Sequence, residues 1–67
     1  MANKVSDNIR KLRQKKGKSQ DRLSKEADLA LNTIVKIETG ENPNPTVETL
    51  EKIAKALGVT VADLFKD

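Results

Sequence analysis

Ser19-Gln20-Asp21-Arg22-Leu23-Ser24-Lys25-Glu26-Ala27-Asp28-Leu29-Ala30-Leu31-Asn32-Thr33-Ile34-Val35-Lys36-Ile37-Glu38-Thr39-Gly40 is the stretch that decides the fold. Ser19 reads as a helix N-cap, because its side-chain oxygen can accept from a free first-turn N–H. Asp21 then sits where a negative charge meets the positive end of the helix dipole. Leu23 and Ala27 are spaced i, i+4 and face one way, and Asp28 breaks the pattern. A new helix begins near Leu31, buries Ile34 and Ile37, and stops at Gly40. Two short helices joined by about three residues must cross steeply. With the two isoleucines inward, at 100° per residue, Asn32 and Thr39 point outward. Val35 and Lys36 flank that line, and Leu31 and Thr33 lie at its sides.

Working outward, the same reading predicts three more helices and no strand. Val5, Ile9 and Leu12 form an i, i+4, i+7 stripe on a helix from 5 to 16, ended by Gly17. The central pair spans 20–27 and 31–39. Residues 41–45, Glu-Asn-Pro-Asn-Pro, carry turn chemistry. Thr46 caps a helix over 47–57 whose stripe of Val47, Leu50, Ile53, Ala54 and Leu57 is expected in the core. Gly58 stops it. Thr60 and Asp63 form a capping box on a last helix, 61–66, with Val59 and Leu64 at hydrophobic-staple spacing. Phe65 is expected to close the core, with a Leu64/Phe65 edge as the alternative, a surface for self-association. The expectation is one all-α, compact, five-helix domain over residues 1–67.

Composition narrows the function. The chain has 67 residues, no Cys, no His and a single aromatic, Phe65. A chain this short buries only about 60% of its unfolded surface, which leaves no deep substrate cavity. Disulfides, Cys/His zinc sites and the commonest general base are excluded. No Gly-rich phosphate cradle and no paired buried carboxylates appear, so no catalytic residue, metal ligand or cofactor is expected. No apolar run nears the roughly 18 residues of a membrane span, and the start carries no secretion signal. A cytoplasmic protein with no small-molecule ligand is expected.

Charge is divided along the chain. Residues 1–36 hold ten Lys/Arg and four Asp/Glu, a balance of +6. Residues 37–67 hold three Lys and six Asp/Glu, a balance of −3, and the two sum to the net +3. A basic half suits a polyanion. The outer face of 31–39 carries Asn, Lys, Thr and β-branched Val, and no outward carboxylate. Asn can pair with adenine, Lys with guanine, and an apolar group can meet the thymine methyl.

The run 19–24, then Leu29, then 32–40, resembles the phage-repressor/Cro (XRE-type) helix-turn-helix family. The similarity extends through Ile9–Arg13, Pro45-Thr46, Leu50, Ile53-Ala54, Ala56–Val59 and Asp63-Leu64, so it covers about residues 5–66. It implies a lambda-repressor-like fold and sequence-specific binding of double-stranded DNA by a transcriptional regulator. By that resemblance Leu31, Asn32, Thr33, Val35 and Lys36 lie nearest the bases. Gln20, Thr39, Asn42 and Asn44 match phosphate-contacting positions, and the basic Lys18 and Arg22 are expected beside them. Arg13 and Glu38 match an internal salt bridge. Specific affinity of about 10⁻⁸–10⁻¹¹ M exceeds what one such module reaches, so a homodimer on a palindromic site is the expected partner arrangement. The chain departs from the family at Asp28 (usually Gly), Ser24 (usually Ala), Ala30 (usually Ser or Thr) and Lys18 (usually apolar). The alternative reading is a protein-interaction module, an antitoxin or adaptor on the same fold.

Overall fold

The computed structural model describes residues 4–42 and 44–66. Pro43, which belongs to the expected 41–45 turn, lies outside the described residues, as do 1–3 and 67 of the expected domain. Four α-helices follow in order: α1 Lys4–Lys15, α2 Gln20–Glu26, α3 Leu31–Thr39 and α4 Val47–Leu57. The described residues hold no strand.

The expected fifth α-helix is a correction. It is a single 3-10 segment, Ala62–Phe65. Its capping box forms nonetheless: Thr60 N–H donates to Asp63 Oδ2 at 3.0 Å, and Asp63 N–H donates to Thr60 Oγ1 at 3.2 Å. The tighter three-residue period turns Leu64 fully inward and leaves Phe65 51% exposed. Phe65 therefore does not close the core, and Leu64 is no part of a surface edge.

The helix ends explain the compact turns. Asp28 N–H reaches the Lys25 carbonyl at 3.2 Å, and Leu29 N–H reaches that of Ser24 at 2.8 Å. This is a Schellman motif, which needs a left-handed residue at its centre. Asp28 supplies it at φ 57°, the one non-glycine with positive φ among the described residues. Gly58 does the same for α4, with bonds from Gly58 to Lys55 and from Val59 to Ala54.

Ile9, Leu23, Ile34, Ile37, Leu50, Ile53, Ala54, Leu57 and Leu64 make one buried cluster. Val5, Leu12, Leu29, Val59 and Val61 pack on it from the edges. Val47 was expected there and is instead 66% exposed. The stripe runs one turn past the elements that cover it.

Candidate nucleic-acid interface

Helix α3 turns a polar face to solvent on the side away from its buried isoleucines. Its N-cap, Ala30, is extended (φ −67°, ψ 144°) and makes no side-chain capping bond. Thr33 and Ile34 N–H instead bond the Ala30 carbonyl at 3.0 and 3.4 Å. Ile34 and Ile37 are buried. Asn32, Lys36 and Thr39 are exposed, Leu31 is 44% exposed, and Thr33 and Val35 are half-buried. The five residues expected to read bases thus share one solvent-reaching side of α3, with Asn32 and Lys36 the most open polar pair.

Glu38 is the one carboxylate of α3, and it is 3% exposed. Arg13 holds it bidentately, Nε to Oε2 at 2.7 Å and Nη2 to Oε1 at 2.9 Å. Gln20 Nε2 donates to Oε1 as well, at 3.2 Å. A polyanion approaching α3 meets no bare negative charge from this residue. The fork geometry suits arginine and not lysine.

Helix α1 holds the far end of α3 by further bonds that the sequence reading missed. Ser6 Oγ donates to the Ile37 carbonyl, and Arg10 Nη1 donates to the Glu38 carbonyl at 3.2 Å. Both are last-turn carbonyls of α3, and that of Ile37 also accepts from the C-cap Gly40 N–H at 3.2 Å. Arg10 Nη2 also bonds Asp7 at 2.7 Å. Ser6, Arg10 and Arg13 are spaced i, i+4, i+7, one residue on from the apolar stripe Val5, Ile9, Leu12. That second stripe was the available signal. Asn8 Nδ2, also missed, ties α1 to the carbonyls of Leu64 at 2.9 Å and Lys66 at 2.6 Å.

The expected phosphate contacts divide into two groups. Gln20 begins α2 and keeps a second amide N–H beyond the one given to Glu38. Arg22 bonds Glu26 through Nε at 3.1 Å, with its side chain 60% exposed. Thr39 Oγ1 donates to the Lys36 carbonyl at 3.2 Å and accepts from Glu41 N–H at 3.4 Å. Asn42 N–H donates to the Lys36 carbonyl at 3.0 Å, and Asn44 is exposed.

Lys18 departs from the expectation of a DNA-facing cation. Its ammonium donates to the Ala56 carbonyl at 2.7 Å and pairs with Glu26, and its side chain is 16% exposed. It ties the α1–α2 turn to the end of α4, where helix carbonyls attract a cation. Lys18 foremost, then Arg22, pulls the Glu26 carboxyl below its ordinary range. The described residues contain no cluster of three or more potential metal ligands and no helix long and apolar enough to cross a membrane.

Comparison with known proteins agrees with this geometry. The sequence model of the family described as helix-turn-helix matches residues 9–64. The HTH-type transcriptional regulator SlrR of Bacillus subtilis (strain 168) is 37% identical over 57 residues. That match covers 85% of this chain but 38% of SlrR, so the chain spans well under half of that relative.

Proposed function

The chain belongs to the XRE-type helix-turn-helix family, and from that premise we propose that it binds double-stranded DNA sequence-specifically, as a transcriptional regulator. The observation that carries the proposal is the outer side of α3, where Asn32 and Lys36 are exposed while Glu38 is buried against Arg13.

In this reading α3 enters the major groove. Asn32 and Lys36 supply hydrogen-bond donors to base edges, and Leu31, Thr33 and Val35 supply shape and methyl contacts. Gln20, Arg22, Thr39, Asn42 and Asn44 hold phosphates and set the register. Lys18 is left out, since its ammonium is already committed. Gln20 joins the two roles: one N–H stays on Glu38 and the other meets the phosphate, so backbone contact and reading helix move together. No step is catalytic, and no small molecule takes part. The site of action is the cytoplasm, where such DNA lies. Two copies on a palindrome, with half-sites about 34 Å apart, raise the affinity to a regulatory level.

The test is selection from a random duplex pool, followed by a salt titration of the winner. A short enriched motif, with log K falling by several units per unit of log salt, supports the reading. Weak salt-sensitive binding without any motif rejects sequence readout.

A further inference from the structure

The side-chain bonds that α1 and α2 send to α3 converge on one turn of it. Ser6 Oγ donates to the Ile37 carbonyl and Arg10 Nη1 to the Glu38 carbonyl, while Arg13 and Gln20 donate to the Glu38 carboxylate. The opposite end of α3 starts at Ala30, whose side chain caps nothing. Burial of Ile34 holds the middle of the helix, but apolar packing is non-directional. The directional hold on α3 is at its last turn.

That turn stands between the two kinds of DNA contact. Lys36, just before Ile37, faces the bases in the proposed reading. Thr39 and Asn42, after Glu38, face phosphates, and Thr39 Oγ1 and Asn42 N–H both donate to the Lys36 carbonyl. Whatever fixes the main chain at 37–38 therefore places the base reader and the phosphate contacts together.

Arg13 grips Glu38 through its side chain, across rotatable bonds. Ser6 and Arg10 grip main-chain carbonyls, which lack that play. Arg10 uses both ends of its guanidinium, Nη1 on the Glu38 carbonyl at 3.2 Å and Nη2 on Asp7 Oδ1 at 2.7 Å. Asp7 lies three residues back on α1, so the fork is aimed from its own helix. The two side chains are 37% and 40% exposed, and such a pair adds little to stability. What it supplies is direction, because a planar fork held at one end points the other. We propose that Arg10, aimed by Asp7, is a positioning residue for base reading: it touches no base, and it sets the presentation of α3 through the Glu38 carbonyl. This rests on the DNA reading of α3. The rival is a phosphate contact made by Arg10 itself. The two differ in what Asp7 does. It helps Arg10 as an aiming group, and it hinders Arg10 as a competitor of phosphate.

Arg10→Met, Asp7→Asn and the double variant are compared with the parent in the full chain. Two duplexes of equal length are used, the parent's enriched motif and a scramble of it, at one salt concentration. Each single variant is expected to lower the ratio of motif to scramble affinity by roughly two- to tenfold, the worth of one hydrogen bond. The double variant is expected to go no lower than Arg10→Met, since Asp7 acts only through Arg10. In the free protein, amide hydrogen exchange is expected to quicken at residues 37–40 and not in α4. Circular dichroism confirms that each variant is folded. A ratio that stays at the parent's value in both single variants overturns the proposal. So does an Asp7→Asn variant that binds both duplexes equally more tightly with a steeper salt slope, which makes Arg10 a phosphate ligand. If the parent enriches no motif, the DNA reading fails, and exchange alone then decides the hold of Arg10 on α3. Quickening confined to residues 37–40 upholds it, and unchanged exchange ends it.

Discussion

The Arg13 guanidinium closes on both oxygens of Glu38, at 2.7 and 2.9 Å, with Arg13 12% and Glu38 3% exposed. The pair joins α1 to the last turn of α3. It fixes the angle at which α3 leaves the core, and it hides the one carboxylate of that helix. Removing a single partner strands the other charge in a poorly solvated place. Arg13→Ala or Glu38→Ala is expected to cost about 3–5 kcal/mol, read as a lower urea midpoint at unchanged slope. A loss under about 1 kcal/mol would mean the survivor is readily rehydrated.

Lys36 is the exposed cation on the outer side of α3. If it reads a base, Lys36→Ala should cost about 1–3 kcal/mol on the selected site and relax preference at one or two positions. Stability should stay within about 0.5 kcal/mol, since no packing is lost. A uniform loss on all sequences, with the salt slope lower by about one, would assign Lys36 to phosphate instead.

How far the sequence revealed the protein depended on whether the signal was local. The bounds of α3 and α4 follow from period, Thr46, Gly40 and Gly58, all within a few residues of the ends they set. The uncapped start of α3 was legible from Ala30 for the same reason. Lys18 was not legible, because its partner carbonyl at Ala56 is 38 residues away. The grip of Ser6 and Arg10 on α3 spans 31 and 28 residues and was equally hidden. Leu64 and Phe65 were adjacent apolar residues, and only the choice of 3-10 over α geometry decided which one turned inward. The Arg13–Glu38 pair became readable through family resemblance, since spacing alone gives no reason to join positions 13 and 38.

Asp28 sits at φ 57° in the turn between α2 and α3. A left-handed residue with a side chain costs roughly 1–2 kcal/mol, less for Asp than for most. Glycine removes that cost but gives back about 0.5–1 kcal/mol in unfolded-state entropy. Asp28→Gly is therefore expected to stabilise the fold only slightly, by about 0–0.5 kcal/mol. Asp28→Val, which is β-branched, should destabilise it. Thermal unfolding of the two variants against the parent decides the matter, and equal midpoints for Gly and Val would show that the turn carries no strain.

Acid should loosen the chain's end. The Asp63 carboxyl is held down to about 2, first by Lys66, 2.8 Å away, then by the N–H and hydroxyl of Thr60. An unfolded aspartate titrates near 4, at about 3.9. The folded value is the lower one, so the unfolded chain takes up the proton first as pH falls. The contribution of Asp63 is complete above about pH 4 and is lost progressively as pH falls toward 2. Asp63→Asn should accordingly lower stability at pH 6 and converge on the parent near pH 2. Glu26, also held below its ordinary range, by Lys18 and then Arg22, works in the same direction, so Asp63→Asn removes only part of the acid sensitivity. Urea unfolding of the parent, Asp63→Asn and Glu26→Gln across pH 2–6 separates the two. A gap between parent and Asp63→Asn that stayed constant over this range would place the role of Asp63 in neutral capping and not in its charge.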